Sequence, residues 1–168
     1  MRIGSGLDMH AFSADLQRPL VLGGVVVPGA PGLAGHSDAD VVAHALADAL
    51  LGAAALGDLG SLFGVDDPAL ARADSLTLLR RVVDHVTAAG WRTANIDCTV
   101  IAERPRLDGH RQAMRERLAA VVNVPVTSVS VKVTSTDGLG AVGRGEGIAC
   151  WATCLIVEGR EREAALPR

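Results

Sequence analysis

The opening stretch, MRIGSGLDMHAF, shows no helical stripe and reads as an extended segment. Alternate side chains in such a segment share a face, so Asp8 and His10 project together while Met9 points the other way. PLVLGGVVVPG predicts two short strands bent at Gly23 and Gly24, and APGLAG a mobile loop. The apolar period then lengthens. SDADVVAHALADALLGAAALG, with recurrences near every third or fourth residue, predicts a buried helix, Ser37 or Asp38 capping its start and Gly57 lying near its end. DPALARADSLTLLRRVVDHVTAAGW predicts a second helix on the stripe Leu79, Val82, Val83 and Val86, stopped by Gly90, with His85 off the stripe in solvent.

Downstream, TANIDCTVIAE predicts a strand, RPRLDG a loop, and the next segment a helix with Met114, Leu118, Val121 and Val122 on one side; His110 enters that helix. SVSVKVTST alternates as a half-buried strand does, and GIACWATCLIVEG, the most apolar strand, belongs in the centre of a sheet. Strands interleaved with helices imply a sheet with helices packed on one face. The length of 168 residues suits one domain, residues 1–158, followed by a polar tail, 159–168.

Composition narrows the partners. The chain is 49% hydrophobic but only 2% aromatic, with no tyrosine, so the core rests on Val, Leu, Ile and Ala and base-stacking platforms are not expected. A net charge of -3 argues against nucleic acid or an anionic membrane as the main partner and favours a small ligand. No apolar run approaches the ~20 residues that cross a bilayer, and the start lacks a signal-peptide pattern, so a cytoplasmic chain is expected. Cys98, Cys150 and Cys154 form neither an even set nor a Cys-x-x-Cys pair and read as buried thiols.

Three of the five histidines, His10, His36 and His44, fall in the first quarter of the chain among Asp8, Asp38, Asp40 and Asp48. Asp8 and His10 from a strand with His44 from a helix would give three zinc-type ligands and leave a fourth position open for water or substrate. Asp48, one turn beyond His44, is placed to fix its tautomer. The alternative is a set of helix caps and surface charges. A second polar concentration, KVTSTDGLGAVGRGEG, offers the hydroxyls of Thr134, Ser135 and Thr136 beside Asp137, which suits phosphate oxygens and a phosphate-bound Mg²⁺; the alternative is a strand-connecting loop.

LDMHAF, GHSDADVVAHALADALLGAAALGDLGSLF, DDP, IAERPRL, TSTDGLG and GRGEGIA occur in that order between Met1 and about Glu158. In these motifs the chain resembles the 2-C-methyl-D-erythritol 2,4-cyclodiphosphate synthase family. The resemblance implies an α+β subunit of the βαβ sandwich type, a homotrimer with interfacial active sites, and a phosphorus-oxygen lyase of the non-mevalonate route to isoprenoid precursors. The reaction implied converts 4-diphosphocytidyl-2-C-methyl-D-erythritol 2-phosphate to the cyclic diphosphate and CMP. It implies zinc, or another divalent transition metal, on Asp8, His10 and His44, and Mg²⁺ or Mn²⁺ at Asp137. His36 and Ser135 would be catalytic, acting on phosphate oxygens, and Ser37 would lie with His36 over the phosphates. Asp58, Leu59 and Gly60 would approach the ribose. Phe63, Gly64, Val65, Asp66 and Asp67 would meet the methylerythritol end. Ala102, Glu103, Arg104, Pro105, Arg106, Leu107 and Asp108 would form the cytosine pocket on the neighbouring subunit, and Thr134, Ser135, Thr136 and Asp137 would contact the diphosphate. Met9, Ala141 and Arg144 complete the substrate-lining set.

Four departures from the usual motifs stand out: Ser135 for Thr, Asp137 for Glu, Val65 for a carboxylate, and Ala141 for an aromatic. Arg144 and Glu146 are expected to pair across the threefold axis or to face an isoprenoid in an axial cavity that Trp151 narrows. An open zinc site alone would equally serve a phosphoesterase using metal-bound water, or a non-catalytic binding protein; the cytosine-pocket motif favours the cyclase.

Overall fold

The computed structural model describes residues 1–64 and 73–159. Its main sheet has the order β1-β6-β4-β5, built from β1 (Arg2–Ala11), β4 (Trp91–Ile101), β5 (Val129–Thr134) and β6 (Gly147–Glu158). β6 pairs antiparallel with both neighbours and lies inside the sheet, where its apolar sequence places it; β4 and β5 run parallel. A separate hairpin joins β2 (Pro19–Leu22) to β3 (Val25–Pro31) through positive-φ Gly23 and Gly24, as the GG pair implies.

α1 (Val41–Ala54), α3 (Ser75–Ala88) and α4 (Arg111–Val122) supply the helical layer. α1 packs on β1 because Gly4 and Gly6 remove side chains from that face: a Cβ on Gly6 would collide with the Ala45 carbonyl, and one on Gly4 with that of Ala49. The core is dominated by Leu, Val and Ala, and Cys98, Cys150 and Cys154 are free and buried within it. Among the described residues no helix is long and apolar enough to cross a membrane.

Local details differ from the pattern-based expectation. The cap of α1 is Asp40, not Ser37 or Asp38; its buried carboxylate accepts from Val42 N and Ala43 N at 3.0 and 3.2 Å and from Gly23 N and Gly24 N at 2.8 and 2.7 Å. The helix ends at Ala55 in the left-handed region, before Gly57. The APGLAG segment is anchored: Ala30 and Pro31 belong to β3, and Leu33, 1% exposed, bridges to Phe12. His85 is exposed, as expected. Two short helices, α2 (Leu59–Phe63) and α5 (Gly140–Gly143), lacked enough turns to leave a periodic signal. Val65, Asp66, Asp67 and residues 160–168 of the tail lie outside the described residues.

Candidate metal centre and neighbouring loops

Asp8 and His10 stand on the helix-facing side of β1, two residues beyond Gly6, where α1 crosses closely enough to bring His44 beside them. Asp8 Oδ2 lies 3.2 Å from His10 Nε2 and 3.0 Å from His44 Nδ1, and one ligand atom from each residue falls within 4.8 Å of the others. The two imidazole rings meet edgewise at 63° with centroids 5.7 Å apart, leaving one nitrogen of each directed at the same carboxylate oxygen. Two imidazoles and one carboxylate suit a divalent transition metal such as zinc, and the cleft above leaves its remaining coordination open.

The electrostatics are mutually reinforcing. Burial raises the Asp8 pKa, but the hydrogen bonds and charges of His10 and His44 outweigh it and hold the carboxyl far below its ordinary range. The hydrogen bond to Asp8 raises His10 above its ordinary value against the opposing effect of burial.

Over the triad lies a cleft of about 270 Å³ lined by Asp8, His10, His36, Ser37, His44, Asp48, Leu59, Gly60, Phe63, Gly64 and Leu78. His36 is exposed and Ser37 buried, its Oγ 3.1 Å from His44 Nε2. Asp58 caps α2, its carboxylate accepting from Ser61 N at 2.7 Å, and that hydrogen bond lowers its pKa. Asp48 does not orient His44: its Oδ1 accepts from Leu59 N at 2.8 Å, while burial raises its pKa. Met9 lies on the opposite sheet face, 61% exposed, and with Ala141 lines a separate pocket of about 140 Å³.

The other predicted residues form a second unit. Glu103 Oε1 accepts from Thr136 N at 2.9 Å, Thr136 Oγ1 at 3.1 Å and Gly138 N at 3.3 Å, binding the IAERPRL loop to the TSTDG loop. These backbone donors lower the Glu103 pKa, the one from Thr136 most. Ser135 Oγ donates to Asp137 Oδ1 at 3.1 Å, with Asp137 at φ 52°. Ala102 and Leu107 are buried supports, whereas Arg104, Arg106 and Asp108 are exposed. Arg104 and Pro105 line a pocket of about 330 Å³ with Phe12, Ala30 and Gly145. Arg144 pairs with Glu146 at 2.6 Å within the chain, so the expected ion pair needs no symmetry partner.

Three residues around the triad were not singled out for these roles. Arg18 donates through Nη2 to the Ser37 carbonyl; Ser75 Oγ lies 2.9 Å from His44 Nε2 and donates to Asp38 Oδ1. Ser75 is 31 residues beyond His44, and spacing carries no signal at that distance.

The YgbB family profile matches residues 1–157. The 2-C-methyl-D-erythritol 2,4-cyclodiphosphate synthase of Moorella thermoacetica is 55% identical over 166 residues, 99% of this chain and 100% of that one. Plasmodium falciparum IspF in its CDP complex aligns with a TM-score of 0.82 at 30% identity, covering 95% of this chain and 97% of that one. A CDP-bound 2C-methyl-D-erythritol-2,4-cyclodiphosphate synthase gives 0.83 at 33% identity, covering 93% and 100%. Matched over nearly its whole length in both sequence and fold, the chain belongs to the YgbB family, that of the 2-C-methyl-D-erythritol 2,4-cyclodiphosphate synthases.

Proposed function

We propose that this protein is a phosphorus-oxygen lyase that converts 4-diphosphocytidyl-2-C-methyl-D-erythritol 2-phosphate to 2-C-methyl-D-erythritol 2,4-cyclodiphosphate and CMP, in non-mevalonate isoprenoid precursor synthesis. The observation that carries this is the convergence of Asp8, His10 and His44 at the floor of an open cleft, in a chain 55% identical to a relative bearing that name. An oxygen of the 2-phosphate bonds to the β-phosphorus of the cytidine diphosphate arm while the bond from that phosphorus to the CMP oxygen breaks. No water is consumed. The protein's task is to fold the substrate so that attacking and leaving oxygens are in line and to offset repulsion between its phosphates.

Asp8, His10 and His44 would hold a divalent ion, zinc or a similar transition metal, which would supply a template and Lewis acidity for phosphate oxygens, and Asp137 would hold Mg²⁺ or Mn²⁺, which would offset diphosphate charge. His36 and Ser135 donate hydrogen bonds to the oxygens that gain charge, with Ser37 and Thr134 to Asp137 holding the phosphates. Leu59 and Gly60 face the ribose. The loop from Ala102 to Asp108 receives cytosine, largely through backbone groups.

None of the residues 102–108 or 134–137 lines the triad cleft. That division supports a homotrimer in which one subunit's cytosine loop faces its neighbour's metal cleft. The sheet face opposite the helices supports it too, since Ile3, Leu7, Met9 and Trp151 are each at least half exposed there. A cytoplasmic location fits the small charged substrate.

Incubation with the cytidyl diphosphate substrate and phosphorus NMR tests the proposal. Cyclic diphosphate and CMP in equal amounts are expected; inorganic phosphate or an acyclic bisphosphate without the ring would replace the cyclase with a hydrolase. His44→Ala is expected to abolish turnover and remove the bound metal while leaving the oligomer intact.

A further inference from the structure

We infer that Ser75, anchored by Asp38, is a positioning residue that fixes the His44 ring so that Nδ1 serves as the metal ligand. The inference rests on the assignment of Asp8, His10 and His44 as ligands and adds to it a support from a different part of the chain. Ser75 Oγ lies 2.9 Å from His44 Nε2 and is also hydrogen-bonded to Asp38 Oδ1. A carboxylate only accepts, so the single hydroxyl proton of Ser75 goes to Asp38, and Ser75 Oγ accepts the Nε2–H of His44. With Nε2–H committed to Ser75, Nδ1, 3.0 Å from Asp8 Oδ2, is the ring nitrogen that faces the carboxylate and can bind a cation shared with it.

The support is rigid. Asp38 is held by Ser75 N on Oδ2 and Asp40 N on Oδ1, both at 3.2 Å, so it bridges the start of α1 to the first residue of α3. Ser75 is 1% exposed, leaving solvent little room to replace its hydroxyl. Ser37 Oγ, 3.1 Å from the same Nε2, accepts from Ala39 N and is a secondary partner. Asp48, on the His44 helix, is committed to Leu59 N.

Zinc affinity, read by competition with a chromogenic chelator, tests this on the full chain and on Ser75→Ala, Asp38→Ala and the double variant. Ser75→Ala is expected to weaken zinc roughly 10- to 100-fold, the cost typical of losing a partner behind a metal-bound histidine. The double variant is expected to lose no more than the worse single one, because both act through one chain of hydrogen bonds. Nitrogen-15 NMR of the zinc-loaded parent is expected to show a slowly exchanging proton on His44 Nε2, a readout that does not depend on any variant folding. Zinc affinity in folded Ser75→Ala within about threefold of the parent, fully additive losses, or an unprotonated Nε2 would overturn the inference. A parent that binds no zinc would instead overturn the ligand assignment itself.

Discussion

At the scale of single residues, the site depends on what β1 omits as much as on what it carries. Gly6 lets the α1 backbone approach until His44 reaches Asp8; Gly6→Ala places a methyl group against the Ala45 carbonyl and 2.8 Å from Ala49 N. Overpacking of this kind costs about 1–3 kcal/mol, and because it separates β1 from α1 it also weakens metal binding. Denaturant unfolding together with metal analysis checks both effects, and loss of stability with unchanged metal content would contradict the geometry. The Asp8–His10 pair also sets a pH dependence for the metal-free protein. Asp8 is depressed, so its contribution is present above the ordinary 3.8 and lost as pH falls through its lower folded value; His10 is raised, so its contribution is present below the ordinary 6.5 and lost as pH rises through its higher folded value. The pair therefore stabilises the metal-free fold most between those limits. Zinc must displace the His10 proton, so zinc affinity measured from pH 8 down to pH 6 falls, with proton release on binding.

At the scale of elements, two carboxylates join segments that lie far apart in sequence. Asp40 caps α1 and holds the β2–β3 turn through four backbone donors. Asp40→Ala removes the cap and strands buried N–H groups, a loss of about 3–5 kcal/mol, seen as a lower denaturation midpoint; Asp40→Asn, which keeps an acceptor, loses less. Glu103 performs the corresponding task for the IAERPRL and TSTDG loops. Removing its carboxylate frees Thr136 N and Gly138 N, so Glu103→Ala is expected to lower kcat/KM by roughly 10- to 100-fold through misplacement of the proposed phosphate loop, with metal content at the triad unchanged. Glu103→Gln recovers part of the rate because its amide oxygen still accepts.

For the molecule as a whole, the consequence lies on the uncovered face of the sheet. Leu7 and Trp151 are direct cross-strand partners, and Trp151 Nε1 donates to Ser5 Oγ at 2.7 Å, so the indole is fixed in place on an apolar surface. An aromatic held outward in this way suits the proposed subunit interface. If the proposed trimer forms through this face, Trp151→Arg shifts the protein to smaller species in sedimentation velocity and abolishes turnover while leaving zinc bound, since the triad lies on the other face. An active monomeric variant would remove the interfacial site.

Much of this protein was legible in the residue pattern. Alternation placed Asp8 and His10 on one face, the apolar recurrence predicted the helix bearing His44, and β6 declared its central position by composition. Such features depend on neighbours within a few residues, where backbone geometry is periodic. The ordered motifs then carried the family. Spacing gave no access to contacts between distant segments: α1 docking into the Gly4–Gly6 gap, Asp48 turning to Leu59, Asp40 rather than Ser37 or Asp38 capping the helix, and Ser75 arriving from α3 to complete the His44 environment. The sequence by itself determined which groups could bind metal and phosphate. Only tertiary packing decided which nitrogen each imidazole presents and what holds it there, because a hydrogen-bond partner is selected by distance in space and not by separation along the chain.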